Sequence, residues 1–327
     1  MRRERLVVVG NGMAGLRFLE EMVRRAAGRF DVTVVGAEPE PAYNRVLLSS
    51  LLAGDIRAGD VQLQSRGWYR EHGIALLTGQ PASAIDTARR TVTLGNGDEL
   101  AFDKLLLATG SDPIRLPLPG NDLAGVMTFR SLADIASLET AASAALPAVV
   151  IGGGLLGIEA AYGLARRGIA VTLVHLMDRL MERQLDAEGA RLLADAIEAK
   201  GVRVLLGVET GAIRGGSAVE AVELKDGRVL QCGLVVMAVG IRPNTALAAS
   251  GGLQIKRGIV VDDGMQTSAA GIYAIGECAE HRGACYGLVE PCYEQARIAA
   301  AVIAGEPAGY AGSVLATNLK VSGVSVF

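Results

Sequence analysis

Two short strings carry chemistry most directly. Gly10-x-Gly12-x-x-Gly15 and Gly152-x-Gly154-x-x-Gly157 each stand between a short aliphatic run and a stretch of helically spaced apolar residues. In such a turn the first Gly permits the tight reversal and the second lets the backbone approach a diphosphate. The third lets the helix close on the strand. The residues that open each helix, Met13 and Ala14 in the first and Leu155 and Leu156 in the second, carry unpaired amides and a partial positive charge suited to an anion. With 42 glycines in 327 residues, chance alone gives roughly 0.7 such matches, so context decides. Glu38 lies 23 residues beyond Gly15, where a carboxylate accepts hydrogen bonds from both hydroxyls of an adenosine ribose. The corresponding place in the second copy, 18 residues beyond Gly157, is His175. A neutral imidazole there can bond a ribose hydroxyl, and a cationic one can attract a 2′-phosphate. Arg179 and Arg183 follow on what reads as a solvated helix face, and the choice between the two nucleotides stays open.

The elements around these turns repeat. Leu6–Val9 is a buried-strand pattern; Leu16, Leu19, Met22, Val23 and Ala26 recur at helical spacing; Asp31–Val35 is a second β-branched strand. The order returns as Ala148–Ile151, then Ile158, Ala161, Leu164 and Ala165, then Ala170–Val174. Each copy continues with a hairpin, turning at Gly95-Asn96-Gly97 and at Asp226-Gly227. A buried strand then leads into Ala108-Thr109-Gly110 or Ala238-Val239-Gly240. The fold class is therefore α/β, with two Rossmann-like three-layer dinucleotide-binding domains. Pro113, Pro117 and Pro119 mark the first crossing and Arg242-Pro243-Asn244 the return. They set an outer domain of 1–113 and 244–312 and an inserted domain of 114–243. Short strands at Ile259–Val261 and Ile272–Ala274 and a helix from Glu294 to Ile303 are expected in the outer domain.

Composition narrows the class. Half the residues are hydrophobic and 4% aromatic, so the core is aliphatic. The 32 basic and 35 acidic residues give a net charge of −3, which argues against a nucleic-acid surface or a polybasic membrane anchor. The apolar run at Leu6–Val9 is too short for a signal peptide, and Pro147 with Gly152–Gly154 breaks the uncharged stretch 141–158. A cytoplasmic protein is expected. Cys232, Cys278, Cys285 and Cys292 include no C-x-x-C pair and read as buried residues of a reducing compartment. The heptad spacing of the last three is wider than known iron–sulfur runs, and no metal site is expected.

Two dinucleotide sites in one chain suggest a relay, with one cofactor resident and the other exchanging. Over nearly its whole length the chain resembles the pyridine-nucleotide:FAD oxidoreductases, flavoproteins with two dinucleotide-binding domains. A second fingerprint of that family is matched by Tyr273-Ala-Ile-Gly276-Glu277, with Glu in place of the usual Asp. Longer strings are similar to the large subunit of NAD(P)H nitrite reductases: His175–Asp186, Tyr273–Gly283, Tyr286–Ala296 and Thr317–Phe327. On that resemblance residues 313–327 open an interface domain that is truncated here. No cysteine follows Cys292 to ligate the clusters or sirohaem of the later modules.

The resemblance implies FAD on the first turn, NAD(P)H on the second, and Glu277 on the ribityl chain. It implies hydride transfer from nicotinamide to flavin, then single-electron release to an iron–sulfur protein or a downstream module of the same chain. Arg45 is expected near the flavin ring or on an FAD phosphate, Glu159 toward the nicotinamide and within reach of Arg45. Glu294 and Gln295 are expected to open a helix whose amides face the flavin pyrimidine. No cysteine precedes Cys232, so a redox-disulfide relay is excluded. The alternatives are a free-standing ferredoxin or rubredoxin reductase and a non-catalytic FAD/NAD-binding redox sensor. The oligomeric state stays open.

Overall fold

The computed structural model describes residues 3–144 and 146–314, with Leu319 and Val321. Most of the expected interface-domain opening, 313–327, lies outside these residues. The chain divides into two compact units. One comprises Met1–Asn44, Gln62–Asp112 and Arg242–Leu315; the other comprises Arg45–Val61, Pro113–Ile241 and Ala316–Phe327.

Each unit is built on a five-stranded parallel sheet. In the first unit the order is Ile272–Ala274, Lys104–Leu107, Glu4–Val9, Phe30–Val35, Ile74–Leu77. In the second it is Val202–Leu205, Val171–Val174, Ala148–Ile151, Leu234–Met237, Val126–Thr128. The central strands read as continuous aliphatic runs because both faces are covered: Leu105, Leu106 and Leu107 are fully buried, as is Val150. The sequence duplication is thus a structural one, down to the register. Val9 pairs with Val35 and Leu107, and Ile151 with Val174 and Met237. The expected hairpins form as antiparallel meanders, Ala82–Asp86 to Glu99–Ala101 and Thr210–Gly215 to Val229–Gln231.

In the first unit the helix Met13–Ala26 buries Leu16, Phe18, Leu19 and Met22 and packs on Val289–Ala304, whose Ala296, Ala299 and Ala300 permit close approach. That second helix begins five residues earlier than the sequence suggests. Pro291 sits in its first turn, where its missing N–H is not needed. Glu294 and Gln295 therefore lie inside the helix and do not open it.

The segment Arg45–Val61 groups with the second unit, whereas its place in the sequence suggested the outer domain. The helix Leu48–Ala53 packs on Leu155–Arg166, and a Cβ at Gly163 would lie 2.8 Å from Leu52 Cγ. Arg167 Nε donates to the Leu52 carbonyl at 2.5 Å. No helix among the described residues is long and apolar enough to cross a membrane.

Candidate functional site

The two glycine turns have the same construction. Gly10 N–H donates to the Val35 carbonyl at 2.8 Å, and Gly152 N–H to the Val174 carbonyl at 2.9 Å. Both turns need positive φ, +112° at Gly10 and +121° at Gly152, a region that disfavours side chains. A Cβ at Gly15 would sit 2.1 Å from the Gly10 carbonyl oxygen, and one at Gly157 would sit 1.9 Å from that of Gly152. By contrast, nothing lies within 4 Å of a Cβ position at Gly12 or at Gly154. Those two residues are the N-caps of Met13–Ala26 and Leu155–Arg166; neither helix has a side-chain cap or an acid in its first turn. Open space at an uncapped N-terminus fits an external anion, and the diphosphate of a dinucleotide is such an anion.

The first turn is framed by residues that accept and donate in fixed directions. Tyr43 Oη donates to Glu38 Oε2 at 2.6 Å, so the acid expected at the ribose is oriented by a phenol. Tyr69 Oη donates to Asn11 Oδ1 at 2.9 Å, and burial pushes the Tyr69 phenol up. Asn11 Nδ2 is buried without a partner, a donor held in the turn itself. Ala108 N–H continues the sheet to the Val9 carbonyl at 2.7 Å, and Thr109 Oγ1 donates to the Asn244 carbonyl at 2.9 Å. Gly110, at φ +68°, leads to Ser111, whose Oγ donates to Glu277 Oε2 at 2.8 Å. Gly276 N–H donates to Gln295 Oε1 at 2.7 Å, and Gln295 is fully buried. Gln295 thus supports the Gly276-Glu277 turn from within its helix. Glu294 Oε2 accepts from Ser313 Oγ. Gly10, Gly12, Met13, Ala14, Gly15, Glu38, Ala108, Thr109, Gly110, Gly276, Glu277, Glu294 and Gln295 all belong to the first unit. Tyr43, Tyr69, Asn11 and Ser111 escaped the sequence reading. Their signal was faint: tyrosine is scarce in this chain, and a buried phenol needs a hydrogen-bond partner.

At the second turn the structure gives His175 work other than meeting a nucleotide. Gly153 N–H donates to His175 Nδ1 at 3.0 Å, and His175 Nε2 lies 3.1 Å from Glu182 Oε2. With Nδ1 accepting from Gly153, the Nε2–H is the donor to Glu182. Both ring nitrogens are engaged and the side chain is only 11% exposed. The expected attraction of a 2′-phosphate by cationic His175 would require breaking the bond from Gly153. Gly153 in turn must lack a side chain, since a Cβ would lie 2.6 Å from the imidazole. Arg179 and Arg183 lie in a run of turns, not on a helix, before Ala187–Glu198. Arg179 Nη1 reaches Asp178 at 3.3 Å, and Arg183 is 87% exposed.

Glu159 is buried in the helix Leu155–Arg166 at 6% exposure. Arg45 opens the short helix Arg45–Leu47 and donates through Nη1 to the Arg130 carbonyl at 2.9 Å. Gly240, three residues past the strand Leu234–Met237, has φ +116°, and its carbonyl accepts from Ile114 N–H at 3.0 Å. The four cysteines form no disulfide with one another; burial pushes Cys232 up to about 11 and also raises Cys278.

Residues 4–306 match the family described as pyridine nucleotide-disulphide oxidoreductase. Across 100% of the chain, 49% of residues are identical to nitrite reductase [NAD(P)H] of Bacillus subtilis (strain 168), of which 41% is covered. The assimilatory nitrate reductase electron transfer subunit of the same organism is 45% identical, again over the whole chain and 42% of its own length. The chain spans about two fifths of these curated relatives. Among solved structures, an NAD-dependent persulfide reductase from A. fulgidus superimposes with a TM-score of 0.91 at 30% identity. That match covers 97% of this chain and 62% of the other.

Proposed function

The chain belongs to the pyridine nucleotide-disulphide oxidoreductase family, as an NAD(P)H-dependent oxidoreductase that uses FAD, and from that premise we propose that it is the electron-entry module of a nitrite reductase. It takes electrons from NAD(P)H and delivers them through FAD to an iron–sulfur and sirohaem module. The observation that carries this reading is identity of 49% along the entire chain with a nitrite reductase. The duplicated, uncapped helix N-termini support two dinucleotides in one chain.

The residues then have these tasks. The Gly12 and Gly154 turns present amides to the two diphosphates. Glu38, oriented by Tyr43, takes the FAD ribose, and Glu277, oriented by Ser111, takes the ribityl chain. Gln295 keeps the Gly276 turn in place. Arg45 supplies positive charge for the flavin, and buried Glu159 faces the nicotinamide. FAD, when bound, accepts two electrons from NAD(P)H and releases them singly. No general acid or base is assigned. A redox disulfide after the first glycine turn is excluded because no cysteine precedes Cys232.

The test is reduction of ferricyanide by NADH or NADPH on the FAD-loaded chain, followed by nitrite-dependent NADH oxidation after adding the iron–sulfur and sirohaem module. Turnover in both assays is expected. A flavin-loaded chain that reduces no dye overturns the enzyme reading, and dye reduction without nitrite-dependent oxidation overturns the choice of acceptor.

A further inference from the structure

We infer that Glu182, held by His175, is the residue that makes the second site prefer NADH over NADPH. This rests on reading the second turn as the nicotinamide-nucleotide site. His175 is the first residue past the strand Val171–Val174, where a dinucleotide fold presents its ribose-binding group. Its imidazole is turned inward and spent, accepting from Gly153 and donating to Glu182. The group it holds there is a carboxylate. Three further features fix the segment that carries it: Met181 N–H donates to the Gly153 carbonyl at 3.0 Å, Leu180 is fully buried, and Met181 adopts φ +50°. The segment carrying Glu182 is thus stitched to the diphosphate turn from both sides of the peptide at Gly153.

The first unit offers the same device with other residues. There a phenol O–H from Tyr43 orients Glu38; here an imidazole N–H orients Glu182. Glu38 lies 23 residues past Gly15 and Glu182 lies 25 past Gly157. A fixed carboxylate accepts from a ribose diol and repels a 2′-phosphate. The nearby cations do not cancel it. Arg183 is 87% exposed and 3.8 Å from Glu182, so solvent screens it. Arg179 pairs through Nη1 with the neighbouring Asp178 at 3.3 Å. The Glu182 side chain is only 23% exposed, so its charge is less screened than theirs. Glu182 is the acid that meets the nucleotide, and His175 is a positioning residue.

The experiment is calorimetric binding of ADP-ribose and 2′-phospho-ADP-ribose to the FAD-loaded chain at one ionic strength. The wild type should bind ADP-ribose about tenfold tighter or more, as charge repulsion at a fixed site implies. Glu182→Gln keeps an oxygen for the His175 N–H, so the fold is retained, and it should bring the two affinities to within about threefold. Glu182→Asp should keep the wild-type preference. His175→Leu should narrow the ratio without abolishing ADP-ribose binding. A purely structural role for Glu182 would weaken both ligands equally. A wild-type ratio near one, or a ratio unchanged in Glu182→Gln, overturns the inference alone. Failure of both ligands to bind overturns the nucleotide assignment of the second turn, and this inference with it.

Discussion

Tyr43 Oη donates to Glu38 Oε2 at 2.6 Å, a contact that makes the Glu38 carboxylate a preset group rather than a mobile surface acid. Glu38→Ala should therefore lower FAD affinity by roughly 1.5–3 kcal/mol, the worth of a hydrogen bond to a charged group. Tyr43→Phe, which removes only the orienting bond, should cost about 0.5–1.5 kcal/mol. Flavin absorbance retained after exhaustive dialysis measures both. Equal retention in wild type and Glu38→Ala contradicts the assignment.

The glycines of the first turn should separate folding from binding. A Cβ at Gly15 collides with the Gly10 carbonyl oxygen at 2.1 Å, so Gly15→Ala should destabilise the apoprotein by about 1–3 kcal/mol or more. A Cβ at Gly12 meets nothing within 4 Å. Gly12→Ala should melt like wild type without cofactor yet bind FAD more weakly, because the added methyl occupies the ligand's approach. Urea titration of the apoproteins beside flavin-binding curves checks the pair. A Gly12→Ala protein with unimpaired FAD binding would remove the diphosphate from this turn.

Acid stability should report on Asp263. Its carboxyl is held down at about 2, from an ordinary 3.8, by hydrogen bonds from Arg282 first and then His281. A depressed carboxyl pKa contributes stability above the unfolded value, and that contribution is lost as pH falls through the folded one. Compared with Asp263→Asn, the wild type should be more stable above about pH 4 and lose that margin between about pH 4 and 2. Urea midpoints of both proteins across pH 2–6 give the comparison. Parallel curves would show that the Asp263 pair contributes nothing.

Thiol chemistry should be peripheral to turnover. Burial pushes Cys232 up to about 11 and raises Cys278, and burial also raises half-buried Cys285. Since the thiolate is the reacting form, maleimide at neutral pH should label the folded chain slowly and Cys285 first. Cys285→Ser should keep ferricyanide reduction within about twofold of wild type, as a substitution away from the reacting groups does. Loss of turnover on labelling Cys285 would reopen a thiol role.

By itself the sequence determined the duplication and the places of the two glycine turns. Both depend on local rules: an aliphatic strand buried on both faces, a residue with positive φ, and a helix whose first turn lacks a cap. That an acid follows the second strand was legible for the same reason, since the distance of Glu38 from Gly15 is set by one helix and one strand. Tertiary structure decided what spacing cannot encode. The helix expected from Glu294 starts at Val289 and takes Pro291 into its first turn. Arg45–Val61 sits in sequence beside the first unit's strands and joins the second unit through contacts of Leu52 with Gly163 and Arg167. His175 shows the difference most sharply. Its position suggested a ligand-facing imidazole, yet a side chain at a strand end can turn outward or inward, and only its hydrogen bonds to Gly153 and Glu182 settle which. Hydrogen-bond partners far apart in sequence satisfy one another only after the backbone has brought them together, so the ring's tautomer and the acid it holds belong to the fold and not to the motif.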